Sequence, residues 1–176
     1  MIDFSKNHFQ LFGLEPAFQF DMARLDQSFR DLQAQVHPDK FSHAPDAERR
    51  LSMQWSTHVN EAYQTLKQPI SRARYLLKLH GVDTQEETNT AMPTDFLMEQ
   101  MEWREAIGEA KGSADATELD HLGAKLRKAI HHLQDDIGQR LDQRHDYPSA
   151  AEAVRKLRFL DKLREEINDA LEALEA

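Results

Sequence analysis

Apolar side chains in this chain recur at spacings of three and four, stretch after stretch. From Asp21 onward, Met22, Leu25, Phe29, Leu32 and Val36 follow that rhythm, which gathers them on one face of a helix. Leu51, Trp55, Val59, Ala62, Tyr63 and Leu66 repeat it between Asp46 and Pro69. A third stripe runs through Leu119, Leu122, Leu126, Ile130, Leu133, Ile137 and Leu141, and a fourth through Val154, Leu157, Leu160, Leu163, Ile167, Leu171 and Leu174. No window carries the β-branched alternation of a strand, so the spacing predicts an all-α fold.

Punctuation divides these helices into two groups. Asp21 is a good N-cap, and Phe20 is placed to staple onto Leu25. Pro38 stops the first long helix, because a proline lacks the N–H a helix interior needs and clashes with the turn before it. The two stripes on either side should therefore lie antiparallel with their apolar faces together. A short helix near Asn7–Phe12, closed by Gly13, and another over Ile70–Leu79, closed by Gly81, complete a first domain at 1–81. Residues 82–93, VDTQEETNTAMP, are polar, aperiodic and end in proline, which reads as a linker. Three longer helices follow in 94–176, the first from about Thr94 to Lys111 and closed by Gly112. Their stripes are long enough for an antiparallel three-helix bundle with a leucine-rich core.

Charge separates the same two parts. Residues 1–80 hold 10 Lys/Arg against 9 Asp/Glu, for a net of +1, whereas residues 81–176 hold 12 against 22, for a net of −10. An acidic half repels phosphate backbones, so no nucleic-acid partner is expected. The chain has no cysteine, which removes disulfides, thiolate metal sites and cysteine nucleophiles. No apolar run approaches the roughly 18 residues needed to span a bilayer. The N-terminus MIDFSKNHF has neither a signal-peptide core nor an Arg/Ser-rich transit segment. A cytoplasmic protein without a membrane partner is the expectation.

One junction is chemically unusual: His37-Pro38-Asp39 sits between the two antiparallel helices. Pro38 fixes its own φ and restricts His37, so both flanking side chains are held at a helix end. A carboxylate presented in this way suits charge-assisted hydrogen bonds to an arginine of a partner. With Lys40-Phe41 after it and YQTLKQPISRARYLL further on, the arrangement resembles the J-domain. LFGLEP, HPDKF, NEAYQTLKQPISRARYLLKLHG, DFLMEQMEWREAI and AVRKLRFLDKLREEI together resemble, in order and over nearly the whole chain, the blocks of the HscB family, J-type co-chaperones of bacterial iron–sulfur cluster assembly. The resemblance implies a J-domain followed by a client-binding helical domain. It also implies that His37, Pro38 and Asp39 bind a DnaK-class chaperone of the HscA type and stimulate its ATPase. The helix before this corner departs from the usual J-domain pattern. It carries Arg24 and Arg30 against Asp21, Asp26 and Asp31 and is not strongly basic.

DFLMEQMEWREAIGEA is apolar on two sides. At about 100° per residue, Phe96, Trp103, Ile107 and Ala110 share one face. Leu97, Met98 and Met101 share roughly the opposite one, with Glu105 on the same stripe and Glu102 and Glu109 at its edge. One face suffices for a bundle core. The second either packs beneath other parts of the chain or recognises a partner, for which methionines supply adaptable contacts. The resemblance favours recognition: Leu97, Met98, Met101, Glu102, Glu105, Glu109 and Phe159 match positions that bind the cluster scaffold IscU. Phe159 falls about 80° off the stripe of its own helix.

Other patterns point to ordinary surface. His131-His132 diverge by about 100° and chelate poorly. His37 and His43 have no third ligand at a zinc-like spacing, and no HExxH is present. Glu165-Glu166 and Asp135-Asp136 read as solvated helix faces, and GEAKG at 108–112 lacks the lysine–serine pair of a phosphate loop. No metal, no cofactor and no enzymatic activity are expected. The alternatives are a J-domain co-chaperone for a different client, and a helical metallohydrolase built on His37 and Asp39.

Overall fold

The computed structural model describes residues 2–89 and 91–176; Met1 of the expected first domain and Thr90 of the expected linker lie outside them. Among the described residues there are seven α-helices and no strand. They are α1 (His8–Leu11), α2 (Met22–Val36), α3 (Asp46–Lys67), α4 (Pro69–Leu79), α5 (Thr94–Gly112), α6 (Ala116–Gly138) and α7 (Tyr147–Glu175). Close contacts group them into two units, Met1–Leu79 and His80–Ala176.

In the first unit α2 and α3 form the antiparallel pair that the two stripes predict. The Asp21 carboxylate accepts from the Ala23 N–H, and the helix it caps ends at Val36, one residue before His37. Leu25 and Val59 bury completely or nearly so between the helices. Three polar or aromatic links join the pair along its length. Phe29 stacks on Tyr63 with centroids 3.9 Å apart, Tyr63 donates to Asp26 at 2.8 Å, and Gln33 donates to Asn60 at 3.3 Å. The short α1 starts on a reciprocal cap between Asn7 and Gln10 and buries Phe9. Gly13 and Gly81, the residues expected to close α1 and α4, both have positive φ, +66° and +73°, where a side chain would be strained. Arg72 of α4 is buried, donating to the Leu66 carbonyl at 2.8 Å and lying over the rings of Phe18 and Phe20. An interior guanidinium needs such partners to offset its lost hydration.

The second unit is built on the α6–α7 hairpin, with α5 laid against both helices. Leu126, Ile137, Leu157, Leu163 and Ile167 are almost fully buried in its core, as the two leucine stripes require. Segment 82–93 contributes to this unit: Thr84 is buried, and its carbonyl accepts a hydrogen bond from Arg155 of α7 at 3.0 Å.

Three details differ from the sequence expectation. Gly112 does not close α5. Gly112 is the last helical residue, with ordinary backbone, and the left-handed turn that closes the helix falls at Ala114, with φ of +53°. The Ser113 hydroxyl bonds the Glu109 carbonyl, Ala114 N–H meets Lys111 O at 3.1 Å, and Asp115 N–H reaches back to Ala110 O at 2.9 Å. Those paired bonds close a helix end whichever residue stands at the left-handed position. The third stripe does not stay α-helical to Leu141 either. After Gly138 it widens into a π turn, Gln139–Gln143, with Arg144 N–H bonded to Gln139 O. Leu174, counted in the fourth stripe, is 41% exposed near the end of α7.

Candidate functional site

The His37-Pro38-Asp39 corner is assembled from both flanking helices. His37 caps the end of α2, with its N–H bonded to Gln33 O, and its own carbonyl accepts from Lys40 N–H at 3.0 Å. Pro38 then opens a single 3₁₀ turn, Pro38–Phe41, which carries the chain toward α3. The proline sits where its missing N–H costs nothing. The imidazole of His37 is part of the turn. Its Nδ1 accepts the Asp39 backbone N–H at 3.2 Å, satisfying a donor at the start of the turn. The same nitrogen lies 3.6 Å from the Asp39 carboxylate. Phe41 packs edge-on against Trp55 of α3, centroids 6.3 Å apart, which fixes the far end of the turn. The Asp39 side chain is nevertheless 93% exposed. The backbone is held while the carboxylate is free, an arrangement suited to accepting hydrogen bonds from a guanidinium that approaches from outside.

On α5 the two apolar faces separate as the wheel requires. Phe96, Trp103, Ile107 and Ala110 turn into the core, with Trp103 Nε1–H directed at Glu99 at 3.5 Å. Leu97, Met98 and Met101 remain 43%, 60% and 71% exposed. Glu102, Glu105 and Glu109 are exposed beside them. Phe159, the one expected scaffold-binding residue outside α5, lies on α7. It is partly buried, edge-on to Phe96 with centroids 5.8 Å apart, and Arg104 lies over its ring at 5.3 Å. The α5 residues therefore share one exposed face, and Phe159 lies against the α5 residue that precedes Leu97.

Among the described residues no group of three or more His, Asp or Glu side chains is arranged to hold a metal ion, and no helix is long and apolar enough to cross a membrane. His131 and His132, the adjacent pair, have ring centroids 6.5 Å apart; His131 lies 3.5 Å from Asp135 on the helix surface. Two features escaped the sequence reading, the His37 cap on Asp39 and a partly buried contact between His8 and His58. The first needs only a histidine two residues before a free N–H. The second joins residues fifty positions apart and leaves no local signal.

Comparison with known proteins bears on both units. A family profile described as "DnaJ domain" matches residues 7–75, and one described as "HSCB C-terminal oligomerisation domain" matches residues 92–168. The chain is 52% identical over 174 residues to a protein of Aromatoleum aromaticum named "Co-chaperone protein HscB homolog", covering 99% of this chain and 98% of that one. Among solved structures it is similar to "Chaperone HscB from Vibrio cholerae", at 36% identity and a TM-score of 0.84, covering 96% of this chain and 99% of the other. It is also similar to the human co-chaperone protein HscB, at 34% identity and a TM-score of 0.87, covering 94% and 82%.

Proposed function

This chain belongs to the HscB family of J-domain co-chaperones, and from that premise we propose that it presents an IscU-type iron–sulfur scaffold protein to an HscA-type chaperone and stimulates that chaperone's ATPase. As a J-domain co-chaperone of iron–sulfur assembly it is a regulator and not an enzyme, and a J-domain implies a partnering chaperone of the Hsp70 class. The assignment of HscA and IscU types as partners, and of the bacterial cytoplasm as the place of action, extends that reading.

The observation that carries the proposal is the second face of α5. Leu97, Met98 and Met101 leave much of their apolar surface outside the bundle core, and a partner that covered it would remove that area from water at about 25 cal/mol per Å². Glu102, Glu105 and Glu109 supply an acidic rim for matching cations on the client, and Phe159 supplies an aromatic ring. In the other unit, the carboxylate of Asp39 receives a chaperone arginine, while His37 and Pro38 hold the turn that presents it. One chain that binds both partners converts their encounter into an intramolecular event, raising the local concentration of client at the chaperone.

A steady-state ATPase assay of the cognate HscA-type chaperone, with and without this protein and with and without an IscU-type scaffold, tests the reading. Stimulation by this protein that rises further with scaffold supports it. Stimulation that ignores the scaffold assigns a different client, and no stimulation at all rejects the chaperone assignment.

A further inference from the structure

Two imidazoles that the co-chaperone reading does not use meet inside the N-terminal unit. His8 opens α1, and its backbone N–H donates to the Tyr75 hydroxyl at 2.9 Å. Its ring stacks on Tyr75 of α4, centroids 4.3 Å apart and planes within 8°, and stands edge-on to His58 of α3 at 5.8 Å. Phe4 adds an edge contact to His58 at 5.0 Å. His8 Nδ1 and His58 Nε2 are both buried, and neither has a hydrogen-bond partner among the described residues. A neutral imidazole tolerates this, because one of its nitrogens carries only a lone pair. A proton added at His8 Nδ1 finds no acceptor and puts a charge into an aromatic stack.

We propose that the contact of His8 with His58 and Tyr75 is an acid-released latch, which holds α1 on α3 and α4 while His8 is neutral and frees it when His8 gains a proton. The titratable groups around His8 come from both helices it touches: His58 and Glu61 from α3, Tyr75 and Lys78 from α4. Burial acts first to hold the His8 pKa below its ordinary 6.5, the charges of His58 and Lys78 act in the same direction, and Glu61 opposes them. The neutral ring thus stabilises docking in full above that ordinary value. Its contribution is lost as pH falls through 6.5 toward the lower folded-state value, because only the released ring takes up the proton readily. A helix of four residues has few bonds of its own to keep it in place once its latch opens. Release would uncover Phe9 and Phe12, which are buried in the closed form.

The test uses the full chain. Hydrogen exchange of the amides of 7–14, corrected for intrinsic rates, is compared at about pH 7.5 and about pH 5.5, alongside an NMR titration of the His8 ring. At the lower pH roughly one released ring in eleven is neutral, so local opening should increase by up to about tenfold. His8→Tyr keeps an aromatic ring on Tyr75 and removes the titration, so its opening should change by less than about twofold. Equal acid sensitivity in wild type and His8→Tyr overturns the latch, as does a His8 ring that titrates at or above 6.5. If His8→Tyr does not fold, the wild-type measurements decide. A depressed ring titration that coincides with loss of α1 protection supports the proposal, and a titration without that loss overturns it.

Discussion

Asp39 keeps its backbone N–H tied to His37 and its carboxylate in water. Replacing it by alanine removes the charge without disturbing the cap, since the bond to His37 uses the main chain. Asp39→Ala should therefore abolish stimulation of the chaperone and leave the thermal melt and scaffold binding close to wild type. The expected stability change is within about 0.5 kcal/mol, typical for an exposed site away from special features. Loss of stimulation together with a large fall in melting temperature would show that the carboxylate is structural. Ala114 offers a change of the opposite kind. It holds φ of +53° with no glycine to relieve it, in a position where helices commonly end on glycine. Ala114→Gly should stabilise the second unit by about 0.5–1 kcal/mol, the steric relief outweighing the extra freedom of the unfolded chain. Chemical denaturation monitored by circular dichroism measures it; no gain would mean that the surrounding hydrogen bonds already compensate for the strained backbone.

At the scale of elements, α5 carries the sharpest choice. Leu97→Ser, Met98→Ser and Met101→Ser together should remove scaffold binding and leave the fold and the basal stimulation intact. Covering three such side chains contributes roughly 3–5 kcal/mol, so affinity should fall at least about a hundredfold. Isothermal titration against the scaffold and a thermal melt of the free variant give the two readouts, and a collapsed melt with lost binding would make the face a core element. The helices were legible because their evidence is local. Asp21, Val36, Asp46, Gly13 and Gly81 sit where caps, prolines and periodicity place them. Gly112 misled because closure depends on the bonds that Ser113, Ala114 and Asp115 make together, not on which residue in the neighbourhood is a glycine. The neighbours of Phe159 were not legible, because a wheel for α7 knows nothing of Phe96 and Arg104 on another helix.

At the scale of the molecule, the N-terminal unit has an interior of its own. Phe9, Leu25, Val59, Leu66 and Leu77 are fully buried within it, and the α2–α3 pair adds its own polar links. Residues 1–81 expressed alone should therefore fold, with the marginal stability expected of about eighty residues. That fragment should stimulate the chaperone but lose the additional stimulation that depends on scaffold. Circular dichroism and the ATPase assay check the two statements, and an unfolded fragment would mean that the first unit depends on the second for its core.

The exposed methionines of α5 also give the chain a chemical vulnerability. It has no cysteine to intercept peroxide, and Met98 and Met101, with Met53 on α3, hold their thioethers in solvent. Oxygen transfer to those sulfurs yields sulfoxides and releases water, turning soft apolar contacts into polar ones. The bundle core, made of leucine, isoleucine, alanine, valine and aromatic side chains, offers no such target. Oxidant would thus mark the surface first and leave a well-folded protein whose α5 face had changed chemically.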